Sequence, residues 1–150
     1  MRRLWKVAGR GRALFGAGLA LLEASALSAA NLSDTPFSAA KLKRAVLKDA
    51  LLSRAKFLKA DLDHANLSGA VLDRAEFGEA QPNAVNLSWA KLNKAGFAKA
   101  DLSGADLRGA IGEDAIWNGA VLSGADCKGA NLHQALFQGA KLDKTDFRHA

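Results

Sequence analysis

From residue 30 to residue 150 every fifth position is alanine, except at Thr35, Val85 and Thr145. A beat of five fits neither the 3.6-residue period of a helix nor the two-residue period of a plain strand. At about 100° per residue, a strict period of five advances about 140° per step and scatters the alanines around a helix axis, which excludes an amphipathic helix. Two residues after each alanine runs a second apolar register, from 32 to 147. Twenty of its twenty-four members are Leu or Phe, and the exceptions are Pro82, Gly112, Trp117 and Cys127. Apolar positions two apart face the same side of an extended segment, so each pentad is a short extended piece followed by a corner. Gly104 and Gly109 stand two residues after Leu102 and Leu107, where a turn uses glycine's freedom.

The aromatic residues set the size of a full circuit. Phe37, Phe57, Phe77, Phe97, Trp117 and Phe137 recur every twenty residues, the length of four pentads. Stacked coils of twenty residues bring the six rings into one interior ladder. Phe147 falls on another column, above Leu107 and Cys127. The twenty-four pentads of 31–150 make six coils, roughly 29 Å tall at about 4.8 Å between neighbouring strands.

The pattern A(D/N)Lxx, present as "ANLSG", "ADLSG", "ADLRG" and "ANLHQ", resembles the pentapeptide repeat family over residues 31–150. That resemblance implies an all-β fold, a right-handed quadrilateral parallel β-helix. The large residue and its preceding alanine point inward, and the other three positions point outward. Departures at "QPNAV" (81–85) and "IGEDA" (111–115) predict local irregularity, and Pro82, which lacks a backbone donor, predicts a bulge or short loop.

Residues 1–30 have a different composition and are expected to be a signal peptide or an N-terminal helix. Arg2, Arg3, Lys6, Arg10 and Arg12 precede an apolar run at 13–22, and small-residue sites follow at "ASA" (24–26) and "SAA" (28–30). This is the plan of an export signal, and an exported destination is the expectation, with the cytoplasm as the alternative. The run is too short for a membrane span, which takes about 20 apolar residues.

A solenoid closed by Ala, Leu and Phe builds no cleft by repetition, so function is expected on its faces or ends. No enzyme, cofactor, metal or small-molecule substrate is expected: the single Cys127 and the histidines His64, His133 and His149 are scattered, and no nucleophile, base and orienting group fall together. The formal charge of +6 is concentrated in the leader, since residues 31–150 hold sixteen Lys/Arg and fourteen Asp/Glu, a net +2. The family resemblance implies one further activity, imitation of DNA at gyrase by an acidic rod. A near-neutral array whose Asp106, Asp126 and Asp146 alternate with Arg108, Lys128 and Arg148 argues against it, and against a nucleic-acid partner.

The leading expectation is a scaffold or protein-binding module, with an accessory role in the cell envelope as the alternative. Candidate protein-interface residues are Ile111, Ile116, Val121, Leu136 and Phe147. Candidate contacts for an anionic partner are Lys41, Lys43, Arg44, Arg54, Arg74 and Lys94: residues 41–59 hold seven basic residues against Asp49, and Arg54, Arg74 and Lys94 fall in one column at twenty-residue spacing. Trp89 is a further outward aromatic. The last coil, ending with Phe147 and Ala150, is a candidate surface for an end-to-end homodimer.

Overall fold

The computed structural model describes residues 27–150, and all but the last four residues of the candidate leader at 1–30 lie outside them. Each pentad carries the same backbone. The amide of each alanine closes a four-residue turn onto the large residue before it, as Ala45 N donates to Leu42 O at 2.9 Å. The third turn residue has positive φ, 58° at Arg44 and 63° at Gly109, the feature of a type II turn.

Parallel pairing links residues twenty apart, such as Lys41 to Asp61 and Ile116 to Leu136. Between coils, Leu42 N donates to Asp61 O at 2.7 Å and Arg44 N to Asp63 O at 2.9 Å, while Asp61 N donates back to Ala40 O at 3.0 Å. Repetition of these three bonds satisfies the backbone that the flat sides would otherwise leave unpaired.

Four sides result, named here by their interior residues. The glycine side holds Leu32, Leu52, Leu72, Leu92, Gly112 and Leu132. The aromatic side holds Phe37 to Phe137. The proline side runs from Leu42 through Pro82 to Leu142, and the cysteine side from Leu27 through Cys127 to Phe147. Alanines and large residues from Leu42 to Ala80 are at most 1% exposed.

On the aromatic side the rings stack nearly parallel, with centroids 5.0, 4.7, 4.6 and 4.2 Å apart from Phe37 up to Trp117. The Trp117–Phe137 step opens to 5.9 Å, and Phe147 closes it edge-on to Phe137 at 6.0 Å and 85°.

Contrary to the sequence expectation, both departures keep the coil regular. Pro82 is buried in the interior position and its pentad has the common turn. Its fixed φ suits that extended position, and the missing donor removes one bond without displacing the chain. The Gln81–Asp101 bridge is absent where its neighbours Asp61–Gln81 and Asn86–Asp106 are present. Asp101 N to Ala80 O at 3.0 Å and Ala84 N to Ser103 O at 2.9 Å hold the seam on either side. Gly112 likewise keeps register, with Leu132 Cδ2 3.2 Å from the place a Cβ would occupy.

The coil also begins before the expected boundary at 31. Leu27 N donates to Val46 O at 2.7 Å, Ala29 N to Lys48 O at 2.9 Å, and Ala30 O accepts from Leu51 N at 2.9 Å.

Candidate binding faces

The basic stretch at 41–59 is opposed by the coil above it. A vertical step of twenty residues places Lys41 under Asp61, Lys43 under Asp63, Lys56 under Glu76 and Lys59 under Glu79. Lys43 Nζ reaches Asp63 Oδ2 at 2.5 Å and Lys59 Nζ reaches Glu79 Oε2 at 3.5 Å. His64 Nδ1 also lies 2.6 Å from Asp63 Oδ1. Hydrogen bonding to Lys43 holds the Asp63 carboxyl below its ordinary range. The expected uncompensated patch is thus divided: Lys43 is paired, Lys41 lies beneath Asp61, and Arg44 lies beneath His64.

Arg54, Arg74 and Lys94 share one corner column, as their spacing predicts, with Asp34 at its lower end and Asp114 above. Arg54 makes a two-pronged contact with Asp34 at 2.6 and 2.7 Å, and Lys94 reaches Asp114 at 4.0 Å. Asp73, the residue before Arg74, accepts from Asn93 N and Nδ2 at 3.1 and 3.0 Å. Among the described residues Arg74 has no carboxylate within ion-pair distance. The six candidate anion contacts therefore do not form one site: Arg54, Arg74 and Lys94 lie at the glycine–aromatic corner, and Lys41, Lys43 and Arg44 on and beside the proline side.

The cysteine side is neutralised along its own length. Arg108 donates to both Asp106 oxygens at 2.9 and 2.6 Å, and Arg148 reaches Asp146 at 2.8 Å. Lys128 turns upward, 3.2 Å from both Asp126 and Asp146, rather than down toward Asp106. Hydrogen bonding by Arg108 lowers the Asp106 carboxyl, and Arg148, with its backbone amide and Lys128, holds Asp146 far below the usual carboxylate range. Beneath this ladder, burial pushes the Cys127 thiol up to about 12.

The apolar candidates separate in space. Ile111, Ile116 and Val121 precede the interior residues of three successive pentads, so they project from the glycine, aromatic and proline sides in turn. Ile116 and Leu136 alone of the group are directly paired, on the aromatic side; they are 39% and 53% exposed. Phe147, the fifth candidate, is half-buried against Phe137. It helps line an open hollow of about 510 Å³ with Leu132, His133 and Phe137 at the last coil.

Sequence reasoning picked out Ile116 and Leu136 on the aromatic side but missed the charge-poor strip around them. Above Glu79 that side's outward residues are Gly96, Ala98, Lys99, Ile116, Asn118, Gly119, Leu136, Gln138 and Gly139. Lys99 is the sole charge in a strip three coils tall. The step of twenty that groups Arg54, Arg74 and Lys94 into a column also groups these residues, and is the signal that finds them. Below the strip, Leu58 lies against Gly78, its Cδ2 3.1 Å from a Cβ built there.

Trp89 is 71% exposed at the cysteine–glycine corner. Among the described residues no group of His, Cys, Asp or Glu could hold a metal ion, and no helix is long and apolar enough to cross a membrane.

Comparison with known proteins follows this geometry. The pentapeptide repeat family matches residues 30–69, 52–81, 83–111 and 115–150. Curated protein sequences give no significant match. Among solved structures, a trypsin-treated variant of QnrB1, a plasmid-mediated fluoroquinolone resistance protein, aligns with TM-score 0.50 at 15% identity, over 86% of this chain and 75% of that one. HetL from the cyanobacterium Nostoc, involved in heterocyst differentiation regulation, aligns with TM-score 0.41 at 20% identity over 97% and 94%. A pentapeptide repeat protein of the Arabidopsis thaliana thylakoid lumen aligns with TM-score 0.40 at 26% identity over 81% and 73%. With four-sided coils, a twenty-residue aromatic ladder and family matches from residue 30 to 150, the chain belongs to the pentapeptide repeat family.

Proposed function

We propose that this chain is a non-enzymatic scaffold that acts in an exported compartment and binds a protein partner along the aromatic side. The observation that carries the reading is the exposed pair of Ile116 and Leu136, stacked one coil apart in a strip with Gly96, Ala98, Asn118 and Gln138 where Lys99 is the one charge. Flat backbone with small residues lets a partner approach closely, and Ile116 and Leu136 supply the apolar area that interface centres use. The closed interior supports a surface-based role over catalysis. Imitation of DNA at gyrase is disfavoured, because Arg108, Lys128 and Arg148 neutralise the acidic column.

A photo-crosslinking residue at Asn118 tests the reading, with His64 on another corner as the control position. A discrete partner adduct from Asn118 and none from His64 is expected. The Ile116→Asp/Leu136→Asp double variant should lose that adduct while keeping its β circular dichroism. Equal labelling at both positions, or none at Asn118, overturns the proposal.

A further inference from the structure

We propose that the leader is removed between Ala26 and Leu27, so that the mature chain keeps Leu27 and the turn that it opens. This rests on the export reading above. The sequence offers two small-residue sites, after Ala26 in "ASA" and after Ala30 in "SAA", and both satisfy the preference for small residues at the cut.

The coil separates them. Leu27 occupies the interior column beneath Leu47 and packs against the core. Its amide donates to Val46 O at 2.7 Å, Ala29 N donates to Lys48 O at 2.9 Å, and Leu51 N donates to Ala30 O at 2.9 Å. Ala30 N closes the turn onto Leu27 O at 3.1 Å. Cleavage after Ala30 removes all four bonds, strips the Val46 and Lys48 carbonyls and the Leu51 amide of their partners, and uncovers the lower face of Leu47. Cleavage after Ala26 keeps all four and leaves the Leu27–Ala30 turn whole.

The step is a hydrolysis. Water adds across the Ala26–Leu27 peptide bond, leaving a carboxylate on Ala26 and an α-ammonium group on Leu27. The released peptide carries five Lys/Arg against Glu23, so the formal side-chain charge falls from +6 to +2. The exported rod is then close to neutral.

The test is expression of the full chain in a secretion-competent bacterial host, with intact-mass analysis and N-terminal sequencing of the exported and cytosolic fractions. An exported chain starting at Leu27 is expected. An exported chain starting at Asn31, or at any other residue, overturns the cleavage site and leaves the export reading standing. Met1-intact protein confined to the cytosol overturns both. In a pulse-labelled culture, which reads processing before folding, Ala26→Phe should slow conversion of precursor at least tenfold, and Ala30→Phe should leave it at the wild-type rate. The reverse pattern overturns the assignment.

Discussion

Trp89 lies over the backbone of Gly109, one coil above it. A Cβ on Gly109 would overlap both Cε3 and Cζ3 of the indole. The missing side chain therefore makes the seat on which the most exposed large apolar residue of the rod rests. Gly109 also has φ 63°, which an L side chain occupies at a cost of roughly 1–2 kcal/mol. Gly109→Ala is expected to combine that penalty with expulsion of the indole, lowering stability by about 1–2 kcal/mol in denaturant titration. Trp89 should become more accessible to acrylamide. An alanine variant as stable as the parent, with unchanged quenching, would show that the seat is not needed.

Pro82 marks the weakest seam between coils. Leu42, Leu62, Leu102 and Leu122 fill the same interior column, and Asp101 O lacks the donor that a residue other than proline would supply. Pro82→Leu restores an inter-coil bond worth about 0.5–1.5 kcal/mol and adds apolar bulk. Greater freedom of the unfolded chain offsets about 0.4–1 kcal/mol of that gain. The thermal midpoint is expected to rise, and the amide that the substitution introduces at this position to be protected from hydrogen exchange. A lowered midpoint would mean that the column is already full at this level.

Much of this architecture is legible by counting. The beat of five separates interior from exterior, and the beat of twenty assigns each outward residue to a side, so the aromatic ladder and the Arg54–Arg74–Lys94 column follow from residue numbers alone. Ile111, Ile116 and Val121 look like a cluster in the sequence because they are close along the chain, yet five residues turn one corner and carry each onto a new side. Counting does not choose among partners equally within reach. Asp73 takes Asn93 over Arg74, and Lys128 takes Asp146 over Asp106, because long side chains select geometry after the backbone is in place. Pro82 departs from the expectation of a bulge because a missing donor does not require a displaced chain: three hydrogen bonds per pentad leave enough pairing to hold it.

Trp117 brings one polar atom into the core. Its Nε1 is buried without a partner, while its rings stack 4.2 Å from Phe97 at an interplanar angle of 1°. Trp117→Phe removes an unsatisfied donor worth about 1–3 kcal/mol and loses packing of similar size. Stability within about 1 kcal/mol of the parent is therefore expected. Phe97→Ala, which only deletes packing, should cost about 3–5 kcal/mol. Matched losses for the two variants in urea unfolding would contradict the role assigned to the orphaned N–H.

Cys127 replaces a leucine of the interior column and is 1% exposed. Burial and the nearby Asp126 and Asp146 charges push its thiol up to about 12, so almost no thiolate exists at neutral pH. Ellman's reagent should react with the native protein only as fast as the coil opens, and stoichiometrically in denaturant. Rapid native labelling would place the thiol outside the core.

Acid should loosen the rod through its carboxylates. Arg54 lowers the Asp34 carboxyl, Lys43 that of Asp63, Arg108 that of Asp106 and Arg148 that of Asp146. A folded-state value below the unfolded one means that the unfolded chain binds protons first as the pH falls. The stabilisation from these pairs is therefore fully present above the ordinary carboxylate value of 3.8 and is lost progressively below it. The thermal midpoint should be nearly flat from about pH 8 to 5 and fall from about pH 4 downward. Because these carboxylates lie on the outside, the effect should be modest and should shrink in salt. Arg108→Gln/Arg148→Gln removes the main cause of the depressed values at Asp106 and Asp146, and is expected to lower the midpoint at pH 7 while flattening its fall in acid. An acid transition of unchanged depth in the double variant would show that the cysteine-side ladder does not govern it.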